Sequence, residues 1–205
     1  MRVLGVDPGL GCCGWAVLEG RGGRVVAAGY GTVHTDGDQV APRLATLAAR
    51  LRQVLVTHRP EALAIERLFF NANVRTAMTV GQASGVVLLL AAEHGLEVSA
   101  YTPPQVKQAV TGSGSAPKEQ VGYMVKALLG LAAVPTPADT ADALAVALCH
   151  LNHAGLAGGG RAGTAGTGTT GAVGALGAAS TADWLARAAP SSPGLRSGPA
   201  RGAGR

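Results

Sequence analysis

Four carboxylates stand at the tips of apolar segments. Asp7 ends the run Val3 to Val6 and is followed by Pro8-Gly9. Glu66 ends Ala62 to Ile65, and Asp139 and Asp142 open the run Ala143 to Leu148. An unpaired carboxylate withdrawn from water costs several kcal/mol, so acids at the ends of buried segments call for a cation, a cluster of donors or a metal. Asp139 and Asp142 are three apart, which on a helix puts them at neighbouring positions of one face. Such a like-charged pair is best tolerated at a helix N-terminus, where the macrodipole favours anions. If the three tips meet, four carboxylates with no nearby Cys and no paired His make a hard oxygen site, suited to Mg²⁺ or Mn²⁺ rather than zinc. Phosphodiester hydrolysis is the chemistry such a site serves, one ion activating water and a second stabilising the leaving oxygen.

Each acid also has an ordinary structural use. Asp before Pro-Gly is common in turns, Glu66 next to Arg67 reads as a surface pair, and Asp139 reads as an N-cap. Joint placement separates the two readings. Asp7 and Glu66 become neighbours if the strands carrying them pair, and a helix starting near Asp139 then brings the other two acids over them.

The elements that would do this are legible as patterns. Arg2 to Val6, Gly14 to Glu19 and Arg24 to His34 read as three sequential antiparallel strands, with Gly20 to Gly23 as a hairpin turn. Leu44, Leu47, Leu51, Val54 and Leu55 recur at helical spacing between Pro42 and His58. A strand at Ala62 to Glu66, a helix from about Val74 to His94 and a strand at Leu96 to Tyr101 follow. Helices then begin at Pro103, at Pro117 (to Leu129) and near Ala138 (to His153), each with proline at or near its start. The order predicts an α/β fold, a mixed five-stranded sheet with helices packed on its faces.

The totals narrow the class. The 205 residues suit one well-buried domain, and 47% hydrophobic content fits a globular chain. The uncharged stretch Thr76 to Ala92 spans 17 residues and contains Thr76, Thr79, Gln82 and Ser84, so neither a membrane span nor a secretory signal is expected. Cys12, Cys13 and Cys149 offer no paired framework and no metal-type spacing; they are expected as small apolar fillers in a reducing, cytoplasmic setting. The net charge of +5 divides unevenly: residues 1 to 154 hold twelve Lys and Arg against eleven Asp and Glu, residues 155 to 205 five Arg against Asp183. The tail has 14 Gly and 13 Ala in 51 positions, a composition with no core to pack, and is expected to be a disordered, weakly basic extension of the domain at 1 to 154. With the four clustered acids set aside, the domain carries twelve positive against seven negative groups, which permits a basic surface around an acidic focus.

Six stretches carry a resemblance. They are Leu4-Gly5-Val6-Asp7-Pro8-Gly9, Ile65 to Ala77, Gly81-Gln82-Ala83-Ser84-Gly85, Tyr101 to Lys107, Gly112 to Lys118 and Asp139 to Ala145. In this order, across residues 1 to 154, the chain resembles the RuvC family of bacterial Holliday-junction resolvases, within the ribonuclease H-like nucleases. The resemblance implies a ribonuclease H-like sheet and a homodimer that nicks two symmetry-related strands of a four-way DNA junction, in recombination and repair. It maps Asp7, Glu66, Asp139 and Asp142 onto the catalytic, metal-binding carboxylates, with two Mg²⁺ per subunit and Mn²⁺ as a substitute. It places Gln82 to Gly85 at the dimer interface, implies RuvA and RuvB as partners, and puts Lys107 and Lys118 near the scissile phosphate. Thr140, where Ala is more typical, is a mild departure that removes no ligand.

Other contacts with DNA follow from residue type. Phe69 is suited to stack on an unpaired base, with Phe70 packed, and Asn73 and Arg75 are placed to meet phosphate along with Lys107 and Lys118. His150 and His153 lie two to three turns beyond Asp142 and are not expected to bind metal. Three other functions share parts of this pattern: a ribonuclease H or transposase-like nuclease, an actin-like ATPase built on strand-Asp-x-Gly, and a junction-binding module without catalysis.

Overall fold

The computed structural model describes residues 1–67 and 74–155. Five strands form one sheet: β1 (Arg2–Asp7), β2 (Cys12–Arg21), β3 (Arg24–His34), β4 (Ala62–Glu66) and β5 (Glu97–Tyr101), in the order β3-β2-β1-β4-β5. The β1-β2 and β2-β3 pairs are antiparallel, as expected of sequential strands with short links. The β1-β4 and β4-β5 pairs are parallel; α2 (Val74–Glu93) makes the crossover from β4 to β5, while β2, β3 and α1 (Val40–His58) lie between β1 and β4. The β2-β3 hairpin is tighter than the expected Gly20 to Gly23 link. β2 runs on to Arg21, and only Gly22 and Gly23 turn the chain, both at positive φ (55° and 80°), the geometry that matches the twist of the flanking strands.

Five helices cover the sheet: α1 (Val40–His58), α2 (Val74–Glu93), α3 (Pro103–Thr111), α4 (Lys118–Leu129) and α5 (Ala138–His153). α1 and α2 bury Leu47, Leu51, Val54, Leu55, Ala83, Val87 and Leu90 against one face, together with Leu4, Val6 and Ile65. α3, α4 and α5 cover the other face around Val3, Ala16, Ala64 and Tyr101. The alternation of β1 explains this split, since Val3 and Val6 point to opposite layers. α3 opens with a capping box, the Thr102 side chain accepting from the Gln105 backbone while the Gln105 side chain accepts from that of Thr102.

Several expectations fall outside the described residues. Phe69, Phe70 and Asn73 do, as does the Arg75 side chain, although Arg75 lies in the first turn of α2. So does the expected tail, apart from Gly155.

Candidate functional site

The site forms where the parallel strands β1 and β4 end side by side. Their ladder runs Val3↔Ala62 to Val6↔Ile65, so the next residue on each strand, Asp7 and Glu66, stands at the same end of the sheet. This is the pairing that the sequence pattern requires. β2 lies on the other side of β1, and Asp7 is opposite Gly14.

α5 supplies the remaining two acids by crossing this end of the sheet at very short range. A methyl group built on Gly14 would lie 1.9 Å from the Asp139 carbonyl oxygen and 2.5 Å from its carbonyl carbon. On Gly5 it would lie 2.3 Å from the Ala143 carbonyl oxygen. These obstacles are backbone atoms, which do not swing aside. Gly5 and Gly14 therefore set how closely the helix seats on β1 and β2, and with it how near Asp139 and Asp142 come to Asp7. Asp139 is in the first turn of α5, favourable for an anion. It is not the cap: Pro137 holds the N-cap position, with no side-chain hydrogen bond.

The electrostatics of the carboxylates are coupled. Burial, then the charges of Glu66, Asp142 and Asp139, push the Asp7 carboxyl from 3.8 up to about 7, with Lys118 opposing. Glu66 is also raised, by burial first and then by Asp142; Lys118, a hydrogen bond with Asp7 and the charge of Lys107 pull it back. Asp7 and Glu66 are thus electrostatically coupled, and both are pushed toward the neutral form. Lys118, the first residue of α4, donates to Asp142 Oδ2 at 2.7 Å, and that bond raises its own proton affinity. Both lysines expected beside the site therefore act on its acids.

One participant runs against expectation. The sequence pattern makes Cys12 an apolar filler and leaves the acids with no cysteine near them, yet its thiol donates to Asp139 Oδ2 at 3.4 Å. Burial, then the Asp139 hydrogen bond, push that thiol up to about 11, so it is a donor and not a thiolate. Cys13 and Cys149 are buried, as fillers should be. A glycine inside a strand, as at Gly14, is a sequence signal for close backbone approach. Nothing local in the sequence marks Cys12, which reaches Asp139 only through the fold.

Among the described residues no three His, Cys, Asp and Glu side chains enclose a ready-made metal shell. The donor chemistry nonetheless fits a hard divalent cation: oxygen ligands, partly buried, each raising the cost of its neighbour's charge. His150 is accounted for elsewhere, its Nδ1 bonded to the buried Tyr101 hydroxyl at 2.9 Å, and His153 Nδ1 lies 2.8 Å from the Cys149 carbonyl oxygen.

Comparison with known proteins bears on the same residues. Residues 3–150 match the family described as crossover junction endodeoxyribonuclease RuvC. A crossover junction endodeoxyribonuclease RuvC of Moorella thermoacetica is 52% identical over 151 residues, 73% of this chain and 90% of that relative. The solved structure of Thermus thermophilus RuvC superposes with a TM-score of 0.70 at 40% identity, covering 76% of this chain and 98% of that one. T. thermophilus RuvC in complex with a Holliday junction substrate gives the same TM-score at 38% identity, covering 77% and 98%. The five-stranded mixed sheet with its helices is the ribonuclease H-like arrangement expected from the sequence.

Proposed function

The chain belongs to the RuvC family of crossover junction endodeoxyribonucleases, and from that premise we propose that it resolves four-way DNA junctions by two symmetric nicks, in homologous recombination and DNA repair within the cytoplasm. The observation that carries the reading is the convergence of the acids: Asp7 and Glu66 end adjacent parallel strands, and α5 seats Asp139 against Gly14 beside them, so that burial and the neighbouring carboxylates push the Asp7 carboxyl up to about 7. A site that resists its own negative charge is a site prepared for cations.

Asp7, Glu66, Asp139 and Asp142 would hold two Mg²⁺ per subunit, with Mn²⁺ as a substitute. Bound there, the ions supply an activated water for attack on phosphorus and charge neutralisation at the leaving 3′ oxygen. The protein's own part is positional. Asp7 and Glu66, both raised by burial and by neighbouring charge, would ionise as cations enter the site. Cys12 holds one oxygen of Asp139, which fixes the direction of the other. Lys118 bridges the acids and the incoming phosphate, and Lys107, close enough to lower the proton affinity of Glu66, meets the same strand. Phe69 stacks on an unpaired base at the crossover, and Asn73 and Arg75 contact phosphate beside it.

The homodimer rests on α2. Its outer face exposes Met78 and Leu89, and Gln82 Oε1 is buried with no hydrogen-bond partner among the described residues. A second copy would cover the first two and offer the third a donor. RuvA and RuvB are the expected partners, and the domain is taken to span residues 1 to 154.

Cleavage of a synthetic four-way junction, a linear duplex and an RNA/DNA hybrid tests the reading. Paired symmetric nicks in the junction, dependent on Mg²⁺, are expected. Preferential cutting of the hybrid would replace the resolvase with a ribonuclease H.

A further inference from the structure

On the sheet face opposite α5, a cleft of about 490 Å³ opens between α1 and the edge strand β3. Trp15, Thr32, Val33 and His34 form its strand wall, and Arg50, Gln53, Val54, Thr57 and His58 its helix wall. No carboxylate is in that lining. α1 contains Arg43, Arg50, Arg52 and His58 and no acid anywhere in its 19 residues. The nearest acids along the chain, Asp36 and Asp38 before α1 and Glu61 after it, are exposed and do not line the cleft.

The donors are arranged as well as abundant. Arg43, Arg50 and Thr57 are spaced by seven residues and so share a helix face, with Gln53 between them, a row about 20 Å long. Arg52, off this row, is engaged by Glu93 at 3.1 Å. Arg50 is exposed and makes no ion pair among the described residues. A solvent-facing Arg on an acid-free helix, above an aromatic floor, is complementary to a flexible or ridged polyanion.

The row also starts at the catalytic end. Thr32 pairs with Gly14, which pairs with Asp7, so the strand wall begins two strands, about 10 Å, from that carboxylate. Arg43 Nε donates to Thr35 Oγ1 at 3.1 Å, and the Thr35 backbone donates to the Gly11 carbonyl in the turn after Asp7. A strand that leaves the acids at this end of the sheet can therefore turn over its edge onto α1, passing the exposed loop of Asp36 and Asp38 before it reaches the acid-free helix.

We propose that the α1-β3 cleft is a second DNA-contact surface, which seats the sugar-phosphate backbone of one junction arm and uses Arg50 and Gln53 as phosphate donors. The proposal rests on the resolvase reading for its substrate. Its reach, from about 10 to 30 Å from Asp7, corresponds to roughly three to nine base pairs from the crossover.

The test uses the full chain with Arg50→Glu, Arg50→Lys and wild type, on a four-way junction and on the same junction with neutral methylphosphonate linkages across that span of the arms. On the all-phosphate junction, Arg50→Glu is expected to bind about tenfold more weakly, with the slope of log K against log salt reduced by about 0.9 for each phosphate that is no longer neutralised. Arg50→Lys should retain most of the affinity. On the methylphosphonate junction wild type and Arg50→Glu should converge. In a Trp184→Phe background, where Trp15 is the single tryptophan, binding of the all-phosphate junction should change its emission. Equal affinity and salt slope for Arg50→Glu and wild type, with unchanged Trp15 emission, would overturn the proposal. Wild-type nicking of the methylphosphonate junction reports the resolvase reading independently, because the linkages at the cut site are untouched.

Discussion

Among the described helices α5 and α2 are the two most apolar, on opposite faces of one sheet, and they differ in what covers them. In α5, Thr140, Ala141 and every residue from Ala143 to Leu151 are buried by the chain's own strands and helices. In α2 the stretch Thr76–Glu93 is long and apolar enough to cross a bilayer by length and composition, yet only 28% of it is buried. One face of α2 packs Ala83, Val87, Leu90 and Ala91 into the core, while Met78 and Leu89 stand 61% and 58% exposed. The contrast teaches that similar hydrophobicity serves two purposes. α5 is seated without slack, as a mount for Asp139 and Asp142 requires. α2 keeps an apolar surface open, the kind of surface that the proposed homodimer would cover.

The largest effect should come from the charge that α5 is mounted against. Asp7→Asn is expected to lower junction cleavage by about a thousandfold or more while keeping or tightening junction binding, since a ligand and an anion facing phosphate are both removed. The same variant should be more stable than wild type without metal. Asp7 is raised from 3.8 to about 7 in the folded state, so between these values the native form binds more protons and its stability falls as pH rises. The thermal stability gap between variant and wild type should therefore be small near pH 4, widen to pH 7 and level off above, approaching about 4 kcal/mol for three pH units. Divalent affinity of wild type, followed by Mn²⁺ titration, should rise over the same window as binding ceases to displace a proton. A flat stability gap would show that Asp7 is not the group so shifted.

Next in size is the seating itself. Gly14→Ala places a methyl group against the Asp139 backbone, and should cost about 1–3 kcal/mol of stability and about a hundredfold in cleavage. The matching change on the other face, Gly85→Ala, meets nothing within 4 Å in one copy of the chain and should leave the fold intact. If Gly14→Ala cleaves normally, α5 is not tightly mounted and the contrast fails.

Leu89→Asp should weaken the homodimer at least tenfold by analytical ultracentrifugation, with little loss of fold, because Leu89 packs outward. An unchanged dimer would move the interface off α2. The smallest effect is expected of Cys12: Cys12→Ala should cost a few-fold in cleavage, the scale of one weak hydrogen bond to a carboxylate, and Cys12→Ser should restore it. If Ser and Ala behave alike, the thiol packs and does not position.

Much of the fold is legible in the chain because its signals are local. Helical spacing from Leu44 to Leu55 finds α1, and Pro103-Pro104 announces α3, although its Thr102 cap is seen only in the structure. The strand ends are less sharp: β2 extends from Cys12 to Arg21, beyond Gly14 to Glu19, since ladder hydrogen bonds with β1 and β3 carry the pairing past the apolar run. Asp139 has an alternative reading as a cap, and only the position of Pro137 removes that use.

The sequence by itself determined four carboxylates at the ends of apolar segments and the order of strands and helices that carry them, while the two lysines came to the site only through the family resemblance. Residue type and period 2 or 3.6 fix these over a few positions. Only the tertiary structure decided which acids share a charge, that Lys118 bonds Asp142 across 24 residues, and that Cys12 reaches Asp139 across 127. It also decided that α5 approaches Gly14 closely enough to exclude a methyl group. The physical reason is range. Propensity and periodicity act between neighbours along the chain, whereas hydrogen bonds, desolvation and the exclusion of one atom by another act between neighbours in space. In this protein the chemistry lies where strands far apart in sequence end together.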